Sequence, residues 1–424
     1  MPRRQRWQPV KGTASRVQDP WERLLLSALD LPARAIHGVA AGFGRPRPAS
    51  VDPSQLREVL VLRLDRIGDV LMSLPALADL RTGLPRARIR LAVGRWSAEI
   101  ARSAPVDEIL VWSASWAGRA DEGAEGPLAL ARKAAALRAR RPDLAIDLQG
   151  DVRALLLMRL TGARLRVGYA NTGGASLLTH VVPLDETVSW QEQNRRAVAS
   201  VLGAAPRAER IDPLGPADRE LAGRLLASLG LGSQRPLVGV HPSGGRRVKQ
   251  WDVARWGAVA ARLQREFGAT VLVTGSAADM PLARALASHL EPAPVDLTGR
   301  LSVREMLALV ERLDLFLSPD TGPMHMACAV GTPSVSVFGP SDPVRYFSGG
   351  SGAAGSRHVV VRQELWCSPC NLIRRPPAEC GGAAPPECLQ LVTVESVYRE
   401  AARLLGARGE PGRDAARRSA GPAV

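Results

Sequence analysis

The pattern of hydrophobic and polar positions along residues 56–212 switches repeatedly between that of a buried strand and that of a helix. Short β-rich runs are separated by stretches with helical spacing, most clearly residues 127–141. Strands that alternate with helices are typical of a parallel sheet covered by helices. The β-rich runs are REVLVLRL, ARIRLAVG, DEILVW, DLAIDLQ and RLRVGYA. This pattern predicts a first α/β domain over residues 56–212.

The alternation restarts after a Pro-rich linker and a helix at residues 213–235. It predicts a second α/β domain over residues 236–392. Its β-rich runs, PLVGVHPSG, TVLVTGS, VDLTG, LFLSPD and SVSVFGP, all end in small or polar residues. Ligands of open α/β sheets bind at the carboxyl ends of the strands. We therefore expect the chemistry of this protein in the loops that follow its strands.

The segments outside the two domains have a different pattern. Residues 1–55 are a basic arm with an amphipathic helix, which either lies on an anionic membrane surface, packs on the body of the protein or is mobile. Residues 349–390 look like loop and include a Cys-rich stretch at 367–388. A last helix is predicted at 393–407, and residues 408–424 are predicted to be disordered.

Composition restricts the class of protein. The chain has 424 residues, of which 46% are hydrophobic, so it can bury two or three domain cores. Its net charge of +15 favours an anionic partner, and the alternative explanation of the Arg- and Ala-rich composition is a GC-rich genome. Nucleic acid is not the predicted partner, because no helix-turn-helix, zinc-finger or RNA-recognition signature is present. No apolar run reaches about 18 residues and no signal peptide is visible, so we expect a cytoplasmic protein.

Four strand-end loops carry candidate chemistry. Glycines let the backbone approach a ligand, and the helix that is predicted to begin near Pro323, after Asp320-Thr321-Gly322, offers free N–H groups to an anion. Neither a Walker A sequence nor a D-x-D motif occurs. The positive charge for a bound diphosphate must then come from basic side chains and the helix dipole. The loops are residues 65–69, 241–251, 273–280 and 318–333.

These loops suggest a reaction. A carboxylate accepts a proton from a hydroxyl nucleophile, and a fixed cationic pocket stabilises a departing diphosphate. The product of such a step is a glycosidic bond. A sugar-nucleotide epimerase is disfavoured, because its GxGxxG fingerprint is missing after the first strand.

From about Val59 to Leu405 the sequence resembles glycosyltransferase family 9, the ADP-heptose:lipopolysaccharide heptosyltransferases. The matching pieces are LRLDRIGDVLMSLPAL, DLAIDLQG, VGVHPSG with KQW, VTGSAAD, LTGR and LSPDTGPMHMACAVGTPSVSVFGPSDP. The resemblance implies the GT-B architecture, in which two Rossmann-like domains face each other across a cleft. It also implies that the first domain binds the acceptor and the second the sugar nucleotide, in a metal-independent, inverting reaction.

Single residues take roles from this resemblance. Asp69 matches the proposed general base. Arg66 and Gly68 precede it in the same loop and are for that reason predicted to contact the acceptor. Asp279 is a looser match to a carboxylate that contacts the ribose. The donor-binding set is Ser243, Lys249, Ser276, Asp279, Asp320, Thr321, Gly322 and His325.

Several of these residues keep a structural alternative. Asp69 is also well suited to cap a helix N-terminus. Arg66 either contacts an acidic acceptor or pairs with Asp65. His325 either binds phosphate or packs in the protein, and Cys328, among apolar neighbours, is predicted to lie in the core.

A cysteine cluster is a separate signal. Cys367 and Cys370 form a C-x2-C pair, and Cys380 and Cys388 follow at looser spacing. Four thiolates suit a structural Zn or Fe. Related family members often carry cysteines here, and one branch uses them for iron. Disulfides and free thiols are the alternatives.

The combined prediction is an inverting glycosyltransferase that needs no catalytic cofactor. It moves heptose or a related sugar, with ADP-heptose as the favoured donor, to a hydroxyl of lipopolysaccharide core or another cell-envelope glycan. An anionic glycolipid or polysaccharide is the expected acceptor, with peripheral contact to the inner membrane. The alternative is a catalytically inactive nucleotide-binding scaffold of the same fold.

Overall fold

The computed structural model describes residues 52–117, 123–203, 211–349, 356–373, 376–382 and 385–407. Most of the basic arm predicted for residues 1–55 and all of the tail at 408–424 lie outside these ranges. The chain separates into two units at Pro213 and Leu214. Among the described residues, no helix is both long and apolar enough to cross a membrane.

The first unit contains a six-stranded parallel sheet with the order β3-β2-β1-β4-β5-β6. Buried aliphatic side chains on β1 and its neighbours, such as Leu60, Leu62 and Ala145, form the core with the flanking helices. The strands are β1 (Glu58–Arg63), β2 (Arg88–Val93), β3 (Glu108–Val111), β4 (Leu144–Asp147), β5 (Leu165–Gly168) and β6 (His180–Val181).

The helices of the first unit pack on this sheet. Within the described residues they are α1 (Ile67–Gly83), α2 (Ala98–Ala101), α3 (Pro127–Ala136), α4 (Val152–Leu160) and α5 (Trp190–Leu202). Helix α1 is held against α5 by a hydrogen bond from Asn194 Nδ2 to Ser73 Oγ at 3.1 Å. Arg195 also pairs with the buried Asp79 at 2.7 Å. These contacts fix the direction in which α1 leaves the edge of the sheet.

The second unit repeats the architecture with the strand order β12-β11-β10-β7-β8-β9, again all parallel. Its core includes Trp251 and Trp256, whose rings meet edge to face at 4.8 Å. The strands are β7 (Leu237–Val240), β8 (Thr270–Val273), β9 (Val295–Asp296), β10 (Leu315–Pro319), β11 (Ser334–Val337) and β12 (His358–Val361).

Eight helices belong to the described part of the second unit. They are α6 (Pro216–Ser228), α7 (Val253–Phe267), α8 (Met280–Ala287), α9 (Val303–Arg312), α10 (Gly322–Val330), α11 (Pro343–Tyr346), α12 (Glu387–Gln390) and α13 (Val394–Gly406). Short 3₁₀ turns at Arg247–Lys249 and Ala277–Asp279 lie in two of the candidate loops.

The prediction of two parallel α/β domains is confirmed. The interpretation of residues 349–390 as loop is wrong in two places. Strand β12 pairs with β11, and helix α12 lies near the end of the Cys-rich stretch. Strand β12 was not predicted. It is an edge strand that is only partly buried, so the residues on either side of it do not show the hydrophobic periodicity that marks the central strands.

In both sheets the order in which the chain adds strands reverses beside an inner strand. The chain moves outward from β1 to β3 and then returns to place β4 on the other side of β1, and the second sheet does the same around β7 and β10. Crevices at such switch points are the preferred ligand sites of open α/β sheets. The predicted loops after β1, β7 and β10 all lie there.

Candidate functional site

In the first unit, the candidate base Asp69 lies in the first turn of α1. Its carboxylate accepts a hydrogen bond from the backbone N–H of Arg66 at 3.2 Å, and about a quarter of its side chain is exposed. Asp69 is thus the third residue of the helix. The N-cap position, for which Asp69 was the structural alternative, is occupied by Arg66. The exposed part of the carboxylate leaves it open to a hydroxyl group.

The neighbours of Asp69 differ from the expectation. The carboxylate of Asp65 lies on Arg63, with Oδ1 at 3.0 Å from Nε, and Arg66 is exposed. Gly68 is buried inside the first turn of α1. It is not among the described glycines with positive φ, so its backbone conformation does not require glycine, and its contact with the acceptor stays a prediction.

Three carboxylates surround the single guanidinium of Arg63 at this edge of the sheet. Burial raises the pKa of Asp65, and it raises the pKa of Asp147, at the end of β4, to about 7. Burial alone would lower the pKa of Arg63, but Asp65, Asp69 and Asp147 raise it. Arg63 and Asp147 are not among the residues predicted from the sequence, although in both cases a charged residue at the end of an apolar strand is a visible signal.

In the second unit, the loops after β7 and β10 bring Lys249 to Asp320. Their Nζ and Oδ2 atoms are 2.7 Å apart, and the Asp320 side chain is only 8% exposed. Burial would raise the pKa of Asp320, but the charge and hydrogen bond of Lys249 hold it below its usual value. The pair therefore fixes a cation beside the start of α10.

Helix α10 begins with Gly322 after Thr321, whose side chain makes no capping hydrogen bond. His325 is buried one turn into the helix, where its Nδ1 lies 3.0 Å from Ser348 Oγ. The start of α10 and Lys249 are thus both placed to favour an anion. Cys328, which was predicted to lie in the core, is partly buried and packs against the cluster that contains Met324 and Phe338.

The other predicted donor residues also meet. Asp279 Oδ2 accepts hydrogen bonds from Ser276 N at 2.8 Å and from Ser276 Oγ at 2.7 Å. A hydrogen bond from Ser243 also helps to hold the pKa of Asp279 below its usual value, against the effect of burial. The charge of His241, which was not among the predicted donor residues, also lowers the pKa of Asp279. Its Nδ1 lies 3.1 Å from Thr274 Oγ1.

The four cysteines of the predicted metal site lie near the end of β11. The Cys370 N–H donates to Pro340 O at 3.1 Å, and burial together with the neighbouring thiols raises the pKa of Cys388 to about 12. All four are free thiols. Within the described ranges, no group of three or more His, Cys, Asp or Glu side chains is arranged to hold a metal ion. The structural Zn or Fe stays a prediction.

We expect Gly244→Ala to weaken ADP binding by about 10- to 100-fold, because overpacking typically costs ~1–3 kcal/mol. A Cβ at Gly244 would lie 2.7 Å from the carbonyl carbon of Lys249 and 2.8 Å from its oxygen. The loop backbone would have to move, and Lys249 with it. Calorimetric titration with ADP measures the effect. The control is Gly223→Ala in α6, where a Cβ meets nothing within 4 Å; equal losses in both variants would contradict the prediction.

Comparisons with known proteins identify the family of this chain. The model of "Glycosyltransferase family 9 (heptosyltransferase)" matches residues 130–376. Lipopolysaccharide heptosyltransferase 1 of Pseudomonas aeruginosa is 29% identical over 324 residues, which cover 74% of this chain and 85% of the relative.

Two solved structures are similar in fold. A glycosyltransferase family 9 protein from Veillonella parvula DSM 2008 has a TM-score of 0.69 at 22% identity, over 83% of this chain and 98% of that one. The E. coli ADP-heptose LPS heptosyltransferase II has a TM-score of 0.66 at 20% identity, over 83% of this chain and all of that one. Since the family model matches more than half of the sequence, this chain belongs to glycosyltransferase family 9 and is a glycosyltransferase.

Proposed function

We propose that this enzyme transfers heptose, or a related sugar, from a nucleotide diphosphate to a hydroxyl of lipopolysaccharide core or another cell-envelope glycan. The reaction inverts the anomeric carbon and needs no metal. ADP-heptose is the favoured donor. Membership of the family and the likeness to lipopolysaccharide heptosyltransferases support the sugar and the acceptor class.

The observation that carries this proposal is the Lys249–Asp320 pair beside the start of α10. The ammonium group of Lys249 is fixed by Asp320, and it lies beside the free N–H groups at the start of α10. A departing nucleotide diphosphate carries the negative charge that this arrangement stabilises. No D-x-D motif is present to hold the diphosphate through a metal.

The residues of the chain support a single displacement. Asp69 takes the proton of the acceptor hydroxyl, whose oxygen forms the new bond to the anomeric carbon. The bond from that carbon to the diphosphate oxygen breaks, and its electron pair leaves with ADP. Lys249 and the start of α10 balance the charge on the leaving diphosphate, while Ser243, Ser276 and Asp279 hold the nucleoside.

An anionic glycolipid acceptor would place the enzyme in the cytoplasm, with peripheral contact to the inner face of the membrane. The basic composition supports this part of the proposal. The arm that would make the contact lies outside the described residues. Arg66, exposed beside Asp69, is the basic residue that we assign to the acceptor.

The test is titration of the protein with ADP, UDP and GDP in EDTA-containing buffer, followed by turnover of ADP-heptose in the same buffer. We expect selective binding of ADP and a product with inverted anomeric configuration by NMR. A preference for UDP or GDP would replace the donor but keep the enzyme class. Activity that disappears in EDTA and returns with a divalent cation would overturn the metal-independent mechanism.

A further inference from the structure

Arg63 is a buried cation whose donors are directed at three segments of the first unit. Only 2% of its side chain is exposed. Its Nε lies 3.0 Å from Asp65 Oδ1 and 3.2 Å from the carbonyl oxygen of Asp69, and its Nη2 lies 3.3 Å from Asp69 Oδ1. Its Nη1 donates to the carbonyl of Leu148, just beyond β4. One side chain thus joins the end of β1, the first turn of α1 and the end of β4.

We propose that Arg63 is a positioning residue for sugar transfer, which holds the Asp69 carboxylate in the orientation that proton abstraction requires. This inference rests on the proposed function, because it takes Asp69 as the base. A general base must come within about 2.6–3.2 Å of the proton donor. Asp69 is partly exposed, and within the described residues the one hydrogen bond that its carboxylate accepts is from the backbone N–H of Arg66. Arg63 restricts the carboxylate from its buried side and leaves the exposed side for the acceptor.

A purely structural role is the competing explanation, and a second buried arginine shows how to separate the two. Arg90 on β2 is 3% exposed and pairs with Glu58 and with Glu108, the latter at 2.9 Å. Both carboxylates lie at the amino ends of their strands, at the edge of the sheet opposite Asp69. Arg90 therefore matches Arg63 in burial and charge and has no contact with the candidate site.

The charges around Arg63 link it to the pH dependence of activity. A residue with a purely structural role would leave that pH dependence unchanged. The titratable groups that act on the cluster are Asp65, Asp69, Asp147, Asp151 and Tyr169. Tyr169 donates its hydroxyl to Gln193 O at 2.6 Å. Burial raises the pKa of Asp65 and of Asp147, and the charge of Arg63 opposes that rise, whereas Asp151 pairs with Arg153 at 2.7 Å. Without Arg63, Asp65 and Asp147 take up protons at higher pH, so the charges behind Asp69 change and the acidic limb of the activity profile moves upward.

The experiment compares Arg63→Lys, Arg63→Met, Arg90→Lys and Asp69→Asn in the full chain, with ADP-heptose and a lipopolysaccharide acceptor. We expect both Arg63 variants to lose about 10²-fold in kcat, as for a misplaced catalytic group, with ADP affinity unchanged. In Arg63→Met the acidic limb of kcat/KM shifts up by about one to three pH units. Arg63→Lys keeps the charge, so its limb stays near that of the wild type. Arg90→Lys lowers the Tm but changes neither kcat nor the limb.

A double-mutant cycle makes the test decisive. If Arg63 acts through Asp69, adding Arg63→Lys to Asp69→Asn causes no further loss of kcat. An equal loss in both backgrounds would overturn the inference while leaving Asp69 as the base. Wild-type kcat in a folded Arg63→Lys variant would overturn it too. Wild-type kcat in Asp69→Asn would instead remove the base on which both this inference and the proposed mechanism rest.

Discussion

Replacing Asp69 by asparagine is expected to lower kcat by about 10²- to 10⁴-fold, the usual contribution of general base catalysis. Asparagine keeps the size of the side chain and an oxygen that accepts the hydrogen bond from Arg66 N, now 3.2 Å. It cannot accept the proton of the acceptor hydroxyl. ADP affinity should be unchanged, because the donor residues belong to the second unit. Single-turnover kinetics with ADP-heptose separates the chemical step from product release.

The control for Asp69→Asn is Asp218→Asn. Asp218 has the same structural position, the third residue of a helix, and its Oδ2 accepts a hydrogen bond from the backbone N–H of Gly215 at 2.8 Å. Asp218 pairs with Arg304, so its replacement should cost stability and leave kcat unchanged. If Asp69→Asn and Asp218→Asn both turn over donor at the wild-type rate, Asp69 serves only the start of its helix.

The pairing of distant loops could be predicted from the sequence. Lys249 and Asp320 are far apart in the chain, but each follows an inner strand of the same parallel sheet. The carboxyl ends of adjacent parallel strands meet at one edge. The alternation of strands and helices and the type of residue in each loop were therefore enough to predict a cationic diphosphate site in these loops, while the strand order that makes the two loops neighbours came from the structure.

The choice of partner inside a loop could not be predicted. The sequence DRIGD offers Arg66 to Asp65, yet the carboxylate lies on Arg63. Arg63 is the last residue of β1 and is buried, and its long side chain reaches the end of β4 as well as α1. Such a contact depends on the packing of three elements around one side chain. Spacing along the chain carries no information about that packing.

Replacing Lys249 by alanine is expected to weaken ADP binding by about 10- to 100-fold, since a hydrogen bond to a charged group contributes ~1.5–3 kcal/mol. Lys249 is one of three lysines in a chain whose other basic residues are arginines. Its Nζ lies 2.7 Å from Asp320 Oδ2, so Asp320 fixes the position of the ammonium group. Calorimetry in EDTA measures the loss. The control is Lys133→Ala, which removes an exposed pair with Glu125 and should leave ADP affinity unchanged.

The same substitution should destabilise the protein by about 3–5 kcal/mol, because it leaves the Asp320 carboxylate buried without its cation. In the wild type, the lowered pKa of Asp320 means that its contribution is present above the unfolded pKa and is lost as the pH falls through the folded value. Without Lys249, burial raises the pKa of Asp320, so the contribution of Asp320 to stability falls with rising pH instead of increasing. The loss of stability in Lys249→Ala relative to the wild type is therefore larger at pH 8 than at pH 4. Urea unfolding at both pH values measures this difference.

The double variant Lys249→Ala/Asp320→Ala separates the two roles of the pair. Removing both charges should restore most of the free energy of unfolding, since no buried carboxylate is left unpaired. It should not restore ADP binding, because the cation is still missing. Recovery of both properties together would contradict a direct contact between Lys249 and the diphosphate, and would make Lys249 a residue that only neutralises Asp320. Recovery of stability alone makes Lys249 the group that meets the donor, with Asp320 fixing its position.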